Sequence, residues 1–382
     1  MKSRTARAEG DPADARRPGW DLIAWALLIV RFTQGWIFWG GGSRRFIYAP
    51  QKLDPHAASW MANKLQTAIP GALFGLGSVL AYLLHHFTLL YGALILFSAA
   101  ELLFGVFLIA GFMTRLSALV TIGLSIALML LFGWQGATCI DEWTMASATL
   151  AMGLALFLGG ATAGSVDGWL LRRSPALEQK AWFQWLGSGA WPEARLKRWS
   201  LVGTLVAGLF IVLTYNYYRG SVLSPFHGGP TSPSRHTLAL SRGRLLGNGT
   251  VSFRMSVTAG TAAEPAHIVR IGLYAPDGRI VERWDTETLA HLSPDRIHND
   301  FAYNRFLPGF MGLIGRVGAE ATLTLPPGRS PPTGVPGSYR LEVRTVSGAR
   351  YLLPLSSPSG REAKASQPSG PGPAQEGGPG SA

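Results

Sequence analysis

TLLYGALILFSAAELLFGVFLIAGF, residues 88–112, is apolar from end to end except for Glu101. A helix needs about 20 mostly apolar residues to cross a bilayer, so Thr88–Phe112 reads as a membrane span. Working outward, Leu22–Trp39, Leu116–Trp134 and Leu201–Tyr217 read the same way. Trp143–Leu158 is shorter but uninterrupted by charge. Gly71–Leu84 is ambiguous: it is short, broken by Gly71, Gly75 and Gly77, and runs into His85-His86.

Loop charge resolves the ambiguity, because cytoplasmic flanks are enriched in Lys and Arg. The N-terminus carries Lys2, Arg4, Arg7, Arg16 and Arg17, and the loop after Leu158 carries Arg172, Arg173, Lys180, Arg195, Lys197 and Arg198. The loop Gln135–Glu142 has only Asp141 and Glu142. Five spans place both basic segments inside and everything after Tyr217 outside. If Gly71–Leu84 also crossed, the basic loop would face out, so it reads as a re-entrant or interfacial helix. Arg44, Arg45, Lys52 and Lys64 then lie on the external side, which either counts against this orientation or marks an anionic ligand.

A chain of 382 residues suggests two or three units. Its net charge of +12 would suggest nucleic acid in a soluble protein. Here basic flanks explain much of it and no nucleic-acid motif appears, so the expected surroundings are membrane lipid and not nucleic acid. The one cysteine, Cys139, excludes an intramolecular disulfide, a cysteine metal cluster and a CxxCH haem attachment. The first apolar run begins late and lacks a small-residue cleavage pattern, so it reads as a retained anchor. Trp182, Trp185, Trp191 and Trp199 read as interfacial anchors rather than ligand contacts.

After Tyr217 the composition changes. Ser221–Ser234 is a Gly/Pro/Ser linker, followed by strand-like runs at His236–Ser241, Val251–Ala259, His267–Ala275, Arg279–Trp284, Tyr339–Val346 and Tyr351–Leu353. Val251, Phe253, Met255 and Val257 share one face. Pro276-Asp277-Gly278 and Ser347-Gly348-Ala349 read as hairpin turns. Short strands at this spacing suggest a small β-sandwich, with Leu289–Val317 irregular.

Three stretches carry a resemblance. They are Gly35–Phe46 with Tyr48–Pro55, the turn Gly111-Phe112-Met113-Thr114-Arg115, and Gly136-Ala137-Thr138-Cys139-Ile140-Asp141-Glu142-Trp143. Together they resemble DoxD, the membrane subunit of thiosulfate:quinone oxidoreductase, within the wider DoxX-like group. The part after Tyr217 resembles DoxA, the companion subunit, fused to the first. The resemblance implies oxidation of two thiosulfates to tetrathionate with electrons passed to a membrane quinone. The expected fold is a mainly α membrane helical bundle, a four-helix DoxD-like core plus a fifth span, followed by a small extracytoplasmic β-sandwich-like domain. The expected units are a disordered cytoplasmic N-terminus (1–20), a DoxD-like transmembrane domain (21–170) and a basic cytoplasmic connector (171–199). A fifth transmembrane helix (200–218), a DoxA-like β domain (235–355) and a disordered tail (356–382) follow. The expected location is the inner cell membrane, as a homo-oligomer or with a terminal oxidase partner.

Cys139 is either a small hydrophobe or a thiolate nucleophile. In the second case quinone-linked oxidation joins it to one thiosulfate as a Cys–S–S–SO3⁻ adduct, and a second thiosulfate releases tetrathionate. Asp141 and Glu142 oppose that chemistry, so nearby cations must compensate. Arg44 and Arg45 follow a glycine run at the outer end of the first span. They are read as oxyanion ligands or as snorkelling side chains, with Lys52 and Lys64 as weaker versions. Arg31 and Glu101 lie inside spans and are expected to pair near mid-bilayer, either as a structural ion pair or in a proton or quinone-site role, with Arg31 a candidate substrate-binding residue and Glu101 a candidate catalytic proton carrier. The eight histidines lack ligand spacing and no GxGxxG opens a helix, so quinone is the expected acceptor without bound metal, haem or flavin. Gly35 and Gly40–Gly42 read as a helix-packing surface. Two functions follow: an enzyme with its site at the external mouth, from Arg44, Arg45 and Cys139, or a DoxX-like scaffold whose β domain binds without turnover.

Overall fold

In the computed structural model, residues 17–135, 142–219, 235–327 and 339–356 are described. The chain starts with α1 (Arg17–Ala26) and α2 (Leu28–Ser43), bent by 46° at Leu27. Hydrogen bonds from Leu27 N–H to Ile23 and from Arg31 N–H to Leu27, both 2.9 Å, carry the backbone through the bend. The expected straight span over 22–39 is therefore a bent pair. The helix then loosens into a π turn at Arg44–Tyr48 and a 3-10 turn at Pro50–Leu53, where Pro50 cannot extend the ladder.

Next come α3 (Met61–Ala68), α4 (Leu76–His85), α5 (Phe87–Ala110), α6 (Thr114–Phe132) and α7 (Glu142–Gly159). The connector holds α8 (Val166–Arg173) and α9 (Ala181–Leu186), and α10 (Glu193–Arg219) follows. Among the described residues α5, α6, α7 and α10 are long and apolar enough to cross a membrane, and the α1–α2 pair makes a fifth span if counted as one. α10 starts at Glu193, inside the segment read as connector, just after Pro192, a residue favoured in a first turn. α4 has ten residues, about 15 Å of a core about 30 Å thick, so it does not cross. Its approach turns back against α6: Leu73 N–H bonds Leu130 at 3.0 Å, and a Cβ on Gly71 would sit 2.3 Å from the Trp134 ring.

Glycine sets how α2 meets α5. A Cβ on Gly42 would lie 2.5 Å from the Leu102 nitrogen, and one on Gly105 would lie 2.4 Å from the Trp39 nitrogen. The backbones therefore touch, as the glycine run suggested. Gly35 meets Gly105 and Gly42 meets Leu102, so α2 ends against the middle of α5. The other half of α5 is covered by Leu53, Trp60 and Leu84, packed around Leu90 and Leu94.

The second unit contains β1 (Thr237–Leu245), β2 (Val251–Ala259), β3 (Ala266–Tyr274), β4 (Ile280–Trp284) and α11 (Thr286–Ala290). It continues with β5 (Ile297–Asn299), β6 (Leu307–Gly309), β7 (Gly312–Gly315), β8 (Glu320–Leu325), β9 (Arg340–Thr345) and β10 (Arg350–Pro354). One antiparallel sheet runs β1-β2-β8-β5, and the other runs β10-β9-β3-β7-β6 with β4 also on β3. Val251, Phe253, Met255 and Val257 point into the shared core, as their alternation indicates. Both turns form, with Gly278 and Gly348 at φ 83°. The segment read as irregular is built from α11 and three short strands, too brief for periodicity to show.

The β unit sits on α3. The Gln66 side chain donates to Asn304 O (2.9 Å) and Gly318 O (2.8 Å) and accepts from Asn304 N–H (2.8 Å). Tyr303 meets the Trp60 ring at 5.1 Å and Phe301 meets His85 at 4.8 Å. The β unit and the open ends of α6 and α7 are thus at one end of the bundle, and the connector is at the other.

Replacing Gly105 with Leu is expected to force α2 and α5 apart, at a cost of at least about 1–3 kcal/mol. Thermal unfolding of detergent-solubilised protein checks this, with Gly92→Leu as control because nothing lies within 4 Å of a Cβ there.

Candidate functional site

The break after α2 holds the first candidate group. Arg45 forms an ion pair with Glu101, their side chains only 15% and 12% exposed. The Arg45 guanidinium lies 5.3 Å from the Phe97 ring centre. Gly41 faces the carboxylate, and a Cβ there would come within 2.8 Å of Glu101 Oε2. Arg44 is exposed and Lys52 is half-buried beside it. Lys52 lies near enough to Arg44 and Arg45 to feel both charges. Arg45 therefore engages the carboxylate, and Arg44 and Lys52 sit in the adjoining turns near enough for their charges to interact. Among the described residues no ion pair joins Arg44 or Lys52 to an acid.

Depth gives this group its meaning. Glu101 lies ten residues before the Gly111 turn, about 15 Å along α5 from the connector end. That is halfway through the bundle rather than at its mouth. Irregular backbone at membrane depth is tolerated only where it is buried in protein or lines a water-filled space. The π turn and the 3-10 turn at 44–53 break the helix beside the Arg45–Glu101 pair, and this break is termed the notch. On the opposite face of α5, Leu96, Ala99, Ala100 and Leu103 open an apolar depression of about 520 Å³.

Arg31 does not meet Glu101, contrary to the expected pair. Glu101 is level with Gly41, ten residues further along α2 than Arg31, so the two are separated by about 15 Å of helix rise. Arg31 instead donates to Gly164 O at 2.6 Å. It belongs to a buried polar cluster at the connector end. There Asp167 accepts from Met113 N–H (2.8 Å), Thr114 N–H (2.9 Å), Thr114 Oγ1 (2.9 Å) and Ser188 Oγ (2.6 Å). Arg115 is wholly buried, donates to Phe157 O (2.9 Å) and Gly189 O (2.6 Å), and lies 4.3 Å from the Trp191 ring. Trp191 is therefore a buried plate over a guanidinium, not the interfacial anchor expected of it. Arg115 was visible only as part of the turn at 111–115; its saturated bonds make it a clamp between connector and bundle.

The second group lies at the mouth. Lys64 donates to Gln135 Oε1 (3.1 Å) and Glu142 Oε1 (2.7 Å), and Gln135 donates to Thr67 O (2.7 Å). Gln135 and Glu142 bracket residues 136–141, so Cys139 and Asp141 lie outside the described residues. Gln135 stands twenty-two residues beyond Met113, against ten between Glu101 and Gly111. The bracket is thus about 18 Å further along the bundle axis than Glu101. Of the single mouth site expected from Arg44, Arg45 and Cys139, Cys139 lies outside the described residues and Arg45 is engaged by Glu101. α2 stops early, so its terminal arginines fall at mid-depth. Among the described residues no three His, Cys, Asp or Glu gather as a metal site.

Residues 26–196 match the family described as TQO small subunit DoxD, and residues 218–352 match the family described as TQO small subunit DoxA. The first match contains the notch, the clamp and the mouth; the second contains nearly all of the β unit.

Removing either Arg45 or Glu101 leaves an uncompensated buried charge and is expected to cost about 3–5 kcal/mol. Arg45→Met with Glu101→Leu should cost less than the sum of the singles, whereas Arg31→Met with Glu101→Leu should be additive, as read by unfolding in detergent.

Proposed function

This chain joins a DoxD-family unit and a DoxA-family unit, both TQO small-subunit families, in one polypeptide, and from that premise we propose that it oxidises thiosulfate and reduces membrane quinone. Two thiosulfates lose two electrons and become tetrathionate. Quinone takes up those electrons with two protons and becomes quinol. The observation that supports this reading is the notch: the Arg45–Glu101 pair beside a break in the helix, with Arg44 and Lys52 in the adjoining turns.

Arg44 and Lys52, which no acid engages among the described residues, supply two positive charges for a thiosulfate dianion, and the planar fork of Arg44 suits an oxyanion. Quinone approaches from the hydrocarbon, where α5 offers its apolar depression. Glu101, held by Arg45, is the proton-exchanging group on that helix. Oxidation has two forms in this proposal. In one, Cys139 thiolate and thiosulfate give electrons to quinone, forming Cys–S–S–SO3⁻. A second thiosulfate then attacks the sulfane sulfur and regenerates the thiolate. In the other, both thiosulfates are oxidised without an adduct. The β unit and the mouth face out of the cytoplasm and the basic connector faces in, a reading supported by Arg172, Arg173, Lys180, Arg195, Lys197 and Arg198.

Purified protein in lipid nanodiscs should reduce a short-tailed quinone only when thiosulfate is added, with one tetrathionate per quinol. Binding of thiosulfate without turnover would instead make the chain a scaffold. Arg44→Ala should raise the KM for thiosulfate and leave that for quinone unchanged. Cys139→Ser should abolish turnover by the thiolate route and leave it near normal by the direct route. A cysteine placed at exposed Asp277 in the Cys139→Ser background should label with an impermeant thiol probe in intact spheroplasts; labelling only after permeabilisation overturns the orientation.

A further inference from the structure

The outer face of the larger sheet carries like charges set side by side. Arg270 on β3 pairs with Arg344 on β9, and Arg344 pairs with Arg350 on β10. Directly paired residues of antiparallel strands project to the same side, and strands are about 4.8 Å apart, so three guanidinium side chains start from one row about 10 Å long. The burial alternation fixes which side this is. Leu341, Val343 and Thr345 are buried against the core, whereas Arg340, Glu342 and Arg344 face away from it. Arg340 pairs with Tyr274 two positions along the same face.

Charge on this face is poorly balanced. Glu342 is the one carboxylate that the register places among these four arginines, and it is already engaged by Arg344. Arg283 on β4, by contrast, has Asp285 at 4.0 Å. Like charges directly opposite one another destabilise a sheet, so the row is a local cost with no folding benefit. Gly272, between Arg270 and Tyr274, puts no side chain on the face there, and the Tyr274 ring lies over it, at 3.0 Å from where a Cβ would be. The result is a shallow basic floor made entirely with arginine, the cation whose planar fork matches oxyanions.

We propose that the Arg270–Arg344–Arg350 row is a surface that collects small divalent sulfur oxyanions and raises their concentration at the chain, ahead of the site that turns them over. The kinetic consequence rests on the thiosulfate reading above; the binding consequence does not. Arg270 and Arg350, flanking the paired Arg344, attract a dianion more strongly than a monoanion, and that attraction is lost when salt screens it.

The test uses the full chain in nanodiscs and the double variant Arg270→Gln with Arg350→Gln, which leaves the Arg344–Glu342 pair intact. The substitution relieves repulsion, so folding should be unharmed, and unchanged thermal unfolding in chloride confirms it. At equal ionic strength, sulfate should stabilise wild type more than chloride does, and the variant should lose that difference. At low salt the variant's kcat/KM for thiosulfate should fall by about 3- to 10-fold with kcat unchanged, and the gap should close at high salt. Equal sulfate stabilisation in both proteins, or parallel salt dependence of turnover, overturns the proposal. If neither protein turns over but only wild type gains from sulfate, the surface stands and the oxidoreductase reading falls. If an acidic peptide displaces sulfate at far lower concentration than sulfate itself binds, the face docks acidic protein and the small-anion proposal is overturned.

Discussion

Backbone contact between α2 and α5 places nearly everything else in the helical unit. Gly42 against Leu102 and Gly105 against Trp39 leave no space for a Cβ, so the two helices can pack in only one register. That register puts Gly41 opposite Glu101 and stops α2 halfway up α5. The half of α5 left uncovered must then be buried by another part of the chain, and Leu53, Trp60 and α4 provide it. The Arg44–Leu53 break and its ion pair follow from the same constraint.

The two ends of the bundle are treated differently. At the connector end, Asp167 and Arg115 satisfy many donors and acceptors at once, tying α6 to α8 and to the residues after α9. Asp167 and Arg115 are engaged within the protein there, although Arg31 Nε and Nη1 in the same cluster have no hydrogen-bond partner among the described residues. At the other end, Gln66 joins α3 to the β unit through both its amide atoms, with Asn304 and Gly318 as partners. A Cβ on Gly318 would come within 2.2 Å of Gln66 O, so the approach requires glycine. The β unit is thus held by a side-chain contact as well as by its chain connection to α10.

Charges inside the bundle separate by role according to whether they are satisfied. Arg115 has carbonyl partners and an aromatic plate, and nothing around it calls for a ligand. Arg45 is held by Glu101, whereas Arg44 and Lys52 have no acid partner among the described residues, and the irregular turns that present them are costly in lipid. An anion at the notch would balance that charge, which is why the notch rather than the saturated clamp carries the functional reading.

Some of this was legible in the sequence and some was not. Spans could be read from Thr88–Phe112 and its like because crossing a bilayer requires a long apolar run, a property of composition alone. The alternation of Val251–Ala259 and the Asp277-Gly278 turn were legible because period and turn geometry are local. β5 to β7 were not, since three- and four-residue strands have no period to detect. Nor could the sequence choose a partner for Glu101. Arg31 and Arg45 are both arginines on the first span, and only the glycine register between α2 and α5 decides which stands level with the carboxylate. Likewise, that arginines follow a glycine run is a fact of sequence. That they lie at mid-depth, about 18 Å from the residues bracketing Cys139, depends on where α2 stops against α5, and only tertiary packing sets that depth.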